Sequence, residues 1–458
     1  MTATPHPKVT PSAGIGQGAS PTRRTILRTA AAATSSLFMA PFVHARRRQA
    51  GGTGTAPIRS SLKLAAIGAG HRGAANIAGV LGEDVAYLCD VDEWMLQRGV
   101  DQVRAAGQPK PATFRDWREL LETAEDLQGV VISTPDHTHA AIARWALHRR
   151  LPVYCEKPLT RTVAEAAELQ NLAQGIPTQM GTQIHATDNY RRVVEALRSG
   201  AIGTVRNVHV VCSKSWSGGV FQPPPEGETG SPKGLDWDLW LGPTPERPYS
   251  PGIHPANWRR FWAFGNGTVG DMAAHWLDLV HWALELGPPK TIDVEGPPVD
   301  EVSTPPWMHA RWTHGRTNGE DDVDVHWWDG IPSRDGVKKW AEAPLDDCHV
   351  FVGSKGRLIS TYSSMKVELS SGDPWEAPEP TILPSPGHHV EWLDRIKDEN
   401  APLPLCHFER AAPLTESILL AGVAYRAGGK ITWDPVKRDA GPGTHWLSAE
   451  ERDGWRPS

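Results

Sequence analysis

Leu62-Lys63-Leu64-Ala65-Ala66-Ile67-Gly68-Ala69-Gly70-His71-Arg72-Gly73 is the stretch that decides the fold. Its first six residues form a short apolar run, of the kind buried on both faces of a parallel sheet. A helical pattern follows from Ala74 to Leu81. A second apolar run, Val85-Ala86-Tyr87-Leu88-Cys89, then ends at Asp90. Strand, GxGxxG, helix, strand and acid in that order form a dinucleotide fingerprint. Gly68 permits the tight turn, Gly70 lets backbone approach a pyrophosphate, and Gly73 lets the helix pack against the sheet. The N-terminus of the helix, with His71 and Arg72 beside it, faces the negative charge. Asp90 is placed to accept the adenine ribose hydroxyls, which favours NAD. Arg72 leaves NADP open.

The pattern continues outward. Leu127 to Ser133 is another buried strand and ends in Thr134-Pro135-Asp136-His137-Thr138-His139. Ligands of open α/β sheets sit at the carboxyl ends of strands, so Thr134, Pro135, His137 and His139 are expected at the cofactor. Two His two residues apart on a loop, with no third ligand nearby, do not make a metal site, and none is expected. Leu151 to Cys155 is a further strand, ending in Glu156-Lys157-Pro158. On spacing alone Lys157 is either a surface cation or a catalytic group. Glu156 could hold or tune it.

These landmarks resemble the glucose–fructose oxidoreductase / inositol dehydrogenase / MocA (Gfo/Idh/MocA) family. The resemblance rests on the GxGxxG start, on Ser133 to His139 and above all on Glu156-Lys157-Pro158. Gly181-Thr182-Gln183, Asn189-Tyr190-Arg191-Arg192, Gly200-Ala201-Ile202-Gly203 and Gly270 to Asp278 extend it. It implies an α/β protein: an N-terminal Rossmann domain with a doubly wound parallel sheet, then an α+β domain with an open, mostly antiparallel sheet that often makes oligomer contacts. It also implies roles. Lys157 sits near a reacting hydroxyl, and His275 is the general base, assisted by Asp271. Positions i and i+4 share one helix face, so Asp271 and His275 can converge.

The expected organisation is a signal over 1–45, a linker over 46–60, a nucleotide domain over 61–183, a substrate and oligomer domain over 184–435 and a polar tail over 436–458. Thr22-Arg23-Arg24-Thr25-Ile26-Leu27-Arg28 reads as a twin-arginine export signal, followed by a mild apolar stretch and a small-residue cleavage pattern at Val43-His44-Ala45. That route exports folded protein, so a cytoplasmic cofactor can travel inside it. The export machinery is then a partner and the destination is periplasmic or secreted.

The 458 residues carry 47 basic and 53 acidic side chains, a net charge of −6. This gives no basic footprint for nucleic acid. Five widely spaced Cys form no CxxC pair and read as buried thiols. Gly and Pro number 44 and 40, which implies long structured loops, and Gly218 to Gly234 reads as one of them. Trp is unusually common, 20 against 6 Tyr and 8 Phe. The Trp-rich segment from Trp237 to Trp282, with His254 and Arg259, reads as a sugar-stacking region or as core. Tyr190, Trp258, Arg259 and Asp278 are the candidate substrate-binding residues.

The leading expectation is an exported NAD(P)-dependent oxidoreductase acting on a ring hydroxyl of a sugar, polyol or glycoside. The alternative is a redox-neutral NAD-dependent glycosidase that oxidises, eliminates, adds water and re-reduces, with His275 or Tyr190 as base. A non-catalytic sugar-binding protein is the third.

Overall fold

The computed structural model describes residues 61–218, 230–337 and 347–457. The export signal, the linker and most of the 218–234 loop lie outside the described residues.

The first half alternates strand and helix. Its elements are β1 (Lys63–Ile67), α1 (Arg72–Val80), β2 (Asp84–Cys89), α2 (Glu93–Ala105), β3 (Ala112–Phe114), α3 (Trp117–Thr123), β4 (Gly129–Ile132), α4 (Asp136–His148), β5 (Val153–Cys155), α5 (Val163–Leu172) and β6 (Thr178–Met180). The strands pair in parallel in the order β3-β2-β1-β4-β5-β6. That order reverses between β1 and β4, the place where doubly wound sheets bind their ligands. The strands are short and apolar because helices cover both faces, and every residue of β4 and β5 is buried. Side-chain caps set several helix starts. Asp92 accepts from the backbone of Trp94 and Met95, and Thr162 and Glu165 form a reciprocal capping box.

The second half contains α6 (Asp188–Arg198), β7 (Val205–Cys212), α7 (Trp237–Leu241), α8 (Gly267–Leu284), β8 (Leu286–Glu295), β9 (Met308–Arg316), β10 (Val323–Asp329), α9 (Gly330–Val337), β11 (Cys348–Gly353), β12 (Gly356–Ser360), β13 (Met365–Leu369), α10 (His388–Lys397), α11 (Phe408–Arg426) and β14 (Lys430–Thr432). Its sheet runs β13-β12-β11-β7-β10-β9-β8-β14, antiparallel except where β10 meets β7. β9 alternates buried and half-buried residues, as a sheet with one covered face should. β7 does not alternate in this way, since its last five residues are all buried. It is a central strand, and Val211 packs with Trp328, Val337, Cys348 and Val350 on the face opposite the main core. α8 is buried nearly all round, consistent with its run of Ala, Leu, Val and Trp.

The chain returns to the first sheet at its end. Trp392 and Leu393 of α10 complete the core formed by Leu62, Leu64, Ala66, Val131 and Tyr154. Residues 436–457 do not behave as the expected polar tail. Ala440, Leu447 and Trp455 are buried, and the Trp455 ring lies 5.9 Å from that of Trp117. The tail's Glu451 pairs with the buried Arg144 of α4 at 3.1 Å. The five Cys are all buried. No helix among the described residues is long and apolar enough to cross a membrane.

Candidate active site

The carboxyl ends of β1, β4 and β5 converge, and α8 from the second half lies across them. At β1, Gly68 has φ +87°, and a Cβ there would lie 2.7 Å from Ser133 O. A Cβ on Gly73 would come within 2.0 Å of Gly68 O. Both positions therefore exclude side chains and leave a backbone cradle. α1 starts at this cradle with no side-chain cap on its N-terminal N–H groups, and His71 is exposed beside it. An anion such as a pyrophosphate fits that arrangement.

Asp90 stands at the end of β2. Its Oδ2 accepts the Ala69 N–H at 2.8 Å, and its Oδ1 accepts the Asp92 N–H at 2.9 Å. Burial raises its pKa against those hydrogen bonds. The sequence reading missed what covers this end. Asp236 N–H donates to Val91 O and Glu93 N–H to Gly234 O, each at 3.0 Å, and Arg115 donates to both carbonyls. A segment from the second half thus lies against the turn after β2.

Arg72, which left NADP open, turns to Glu156. Its Nε donates to Glu156 Oε1 at 2.9 Å, which removes the ground for a 2′-phosphate partner there. Glu156 also accepts from Asn76 at 2.9 Å and Gln183 at 2.7 Å. Burial opposes its ionisation, but Arg72, Asn76 and Lys157 outweigh burial and hold its pKa at about 2.

Lys157 Nζ donates to Asp271 Oδ1 at 2.9 Å and to Asp271 O at 2.8 Å. Arg259 Nε donates to the same Oδ1 at 3.0 Å. Burial disfavours the Asp271 carboxylate, yet the two cations keep it well below the usual carboxylate range. His275 stands one helical turn further along α8 and is half-buried. Burial first, then the Lys157 charge, push it down to about 3, so its imidazole is neutral. Its Nδ1 has no hydrogen-bond partner among the described residues.

Several expected ligand-binding residues are placed otherwise. His139 lies between Pro158 O at 2.8 Å and Thr134 O at 2.9 Å. It therefore pins the loop of Thr134 and Pro135 to the turn after β5. His137 bonds Trp240 O at 2.8 Å and packs against the Trp240 and Phe264 rings. Both His are buried and occupied with the protein's own carbonyls. Tyr190 is buried and donates to His275 O at 3.0 Å, so it is spent on holding α8 and is no free base. Asp278, itself on α8, is buried and accepts from His185 Nδ1–H at 2.5 Å, with the His185 ring stacked on Trp282.

The Trp-rich region is mostly core. Trp240, Trp258, Trp262, Trp276 and Trp282 are all buried. The reason is their size, since each ring fills space that no smaller side chain would. Of these candidates Arg259 remains at the cleft, stacked on Trp258 at 4.1 Å.

The sequence reading also missed Asp136, the first residue of α4. It is 3% exposed, and its Oδ2 has no partner among the described residues. Burial pushes its carboxyl up to about 8, against the pull of Arg259 and Lys157 and with the push of Asp271. The available signal was its place beside Pro135 at a strand end.

No metal was expected. Among the described residues His185, Asp278 and Cys406 hold ligand-type atoms within 4.8 Å of one another. Arg410 stands 3.8 Å from Asp278, placing a cation where a metal would have to sit close.

Residues 62–181 match the NAD-binding Rossmann fold of the Gfo/Idh/MocA oxidoreductase family, and residues 213–318 match its C-terminal alpha/beta domain. Over those residues the chain is similar to the Gfo/Idh/MocA oxidoreductase family in both of its domains. Its cofactor is NAD, and the cradle at Gly68–Gly73 fits it. A relative called Glycosyl hydrolase family 109 protein, from Stenotrophomonas maltophilia (strain K279a), is 32% identical over 243 residues, 48% of this chain and 49% of that protein. The chain spans about half the length of the curated relatives it matches. GenD2, solved with NAD, has a TM-score of 0.55 at 17% identity and covers 82% of this chain and 97% of its own. The aldose-aldose oxidoreductase of Caulobacter crescentus has a TM-score of 0.56 at 16% identity, covering 81% and 99%. At those identities the Gfo/Idh/MocA likeness to solved structures concerns the fold alone.

Proposed function

We propose that the protein oxidises a ring hydroxyl of a sugar or glycoside. The observation that carries this reading is the convergence of Lys157, Asp271 and His275 at the carboxyl ends of β1, β4 and β5. Bound NAD⁺ supplies the hydride acceptor; Gly68, Gly70, Gly73 and Asp90 would hold it. His275, kept neutral by burial and by Lys157, takes the hydroxyl proton. Lys157 stabilises the developing alkoxide. Asp271, kept ionised, fixes Lys157 in place, and Arg259 shares that carboxylate.

A second reading is favoured by the relatives named Glycosyl hydrolase family 109. The ring ketone makes the neighbouring C–H acidic, so the glycosidic group can leave, water can add and the ketone can be re-reduced. No paired carboxylates are needed. We further propose that the Thr22–Arg28 motif exports the folded, NAD-loaded protein. A reporter fusion whose export survives Arg23→Lys with Arg24→Lys would refute that.

The deciding experiment incubates the NAD⁺-loaded protein with sugars and glycosides in D₂O and weighs the products. An oxidised but intact sugar means a dehydrogenase. A cleaved sugar at its original oxidation state, deuterated beside the oxidised carbon, means the redox-neutral glycosidase. No reaction with any sugar or polyol would overturn both.

A further inference from the structure

In this cleft Lys157 and Arg259 share the single carboxylate oxygen of Asp271, two cations on one anion. Three carboxyl groups lie near enough to Arg259 to act on it when ionised: Asp271, Asp136 and Glu156. Asp271 is shared as described. Glu156 is saturated by Arg72, Asn76 and Gln183. Asp136 is buried and, with its carboxyl pushed up to about 8, protonated at neutral pH. His275 is neutral. Among the described residues Lys157 and Arg259 thus rely on one carboxylate oxygen, and the unpartnered Oδ2 of Asp136 is bonded to neither of them.

The Arg259 charge is fixed in place. Arg259 is held from two sides, by its Nε–H bond to Asp271 and by stacking on the Trp258 ring at 4.1 Å. Its terminal nitrogens make no hydrogen bond among the described residues, although only 32% of the side chain is exposed. Lys157 is still more enclosed, with 13% of its side chain exposed. A partly buried cation that shares its one bonded carboxylate with a second cation is unfavourable, and a planar guanidinium matches a carboxylate with two parallel hydrogen bonds.

We propose that the substrate is a sugar bearing a carboxylate, a hexuronic acid or its glycoside, and that Arg259 selects it through its terminal N–H groups. This rests on the reading of the site as one that oxidises a ring hydroxyl, and it adds the class of sugar. The carboxylate supplies a second negative charge and anchors the ring, leaving a hydroxyl free for Lys157 and His275. Asp136 contributes by staying protonated, because its ionisation would cancel the charge that attracts the ligand. Asp271, Lys157 and Arg259 are the charged groups around it, from α8, the turn after β5 and the segment before α8.

The test compares matched pairs on the full NAD⁺-loaded chain: methyl β-glucoside against methyl β-glucuronide, and the galacto pair. Hydride transfer is followed by the absorbance of reduced nicotinamide, and binding by calorimetry. The glucuronide or galacturonide should lead in kcat/KM by about 10- to 100-fold, the effect of a charge-assisted hydrogen-bond pair. Arg259→Gln should bring the ratio near one, and Arg259→Lys should leave an intermediate preference. A wild-type preference for the neutral sugar overturns the proposal without any variant. So does a ratio unchanged in a folded Arg259→Gln protein, or a sugar phosphate that outcompetes the uronide. If no sugar is oxidised but the uronide binds in an Arg259-dependent way, the oxidation reading fails and this inference stands. If oxidation occurs without charge preference, the reverse holds.

Discussion

At Lys157 a single ammonium does two jobs that can be separated by measurement. In the proposed reaction it faces the substrate hydroxyl, and it lowers the proton affinity of His275. Lys157→Ala should reduce kcat by about 10²- to 10⁴-fold, the range for losing one proton- or charge-handling group. It should also raise the His275 pKa, because a repelling cation is gone, and move the acid limb of the kcat/KM profile to higher pH. An unmoved acid limb would mean that Lys157 and His275 do not sense each other. Asp136 offers a stability readout. Its folded pKa, about 8, exceeds its ordinary value near 3.8. The stability linked to its proton is complete below pH 3.8 and is lost as pH rises through 8. Asp136→Asn stays neutral throughout. The Tm of this variant minus that of wild type should therefore grow from about pH 5 to about pH 8 and then level off. A constant difference would show that Asp136 is ionised in the folded protein.

Among the elements, the two C-terminal ones change how the nucleotide half is understood. α10 places Trp392 against β1 and β4, and the chain end places Trp455 against α3 and α4. Arg118 also stacks on Trp455 at 4.0 Å. Trp455→Ala should cost about 3 kcal/mol of unfolding free energy, as for other buried large-to-small changes, and urea titration would measure it. A cost under about 0.5 kcal/mol, the level of an ordinary surface change, would mean the tail is peripheral. These contacts were not legible in the sequence. Trp392 and Trp455 have sequence neighbourhoods of ordinary helix and polar loop, and nothing local says which distant surface a Trp will fill. The β1–α1–β2 unit was legible because its period, its glycines and its acid are all local constraints.

For the molecule as a whole, the first sheet is completed by residues more than 200 positions away in the chain. A fragment of residues 61–183 lacks Trp392, Leu393 and Trp455, and it should fail to give a cooperative unfolding transition. The chain from residue 59 onward, in contrast, should unfold as one unit. Circular dichroism during thermal melting checks both. A fragment melting cooperatively at the temperature of the longer chain would contradict the shared core.

By itself the sequence determined the nucleotide-binding half, the helix with Asp271 and His275, and the turn with Lys157. The first is a short-range pattern that spacing itself spells out, while the other two were reached through the resemblance to a known family, with the i, i+4 spacing of Asp271 and His275 in agreement. Only the tertiary structure decided the rest. It gave Arg72 to Glu156, His137 and His139 to backbone carbonyls, Tyr190 to His275 O, and Asp278 to His185. It put the Trp-rich segment into the core and brought Asp136 beside Arg259 and Lys157. The reason is physical. A buried polar group must find a partner, and that partner comes from whichever chain segment packs there, which no local spacing encodes.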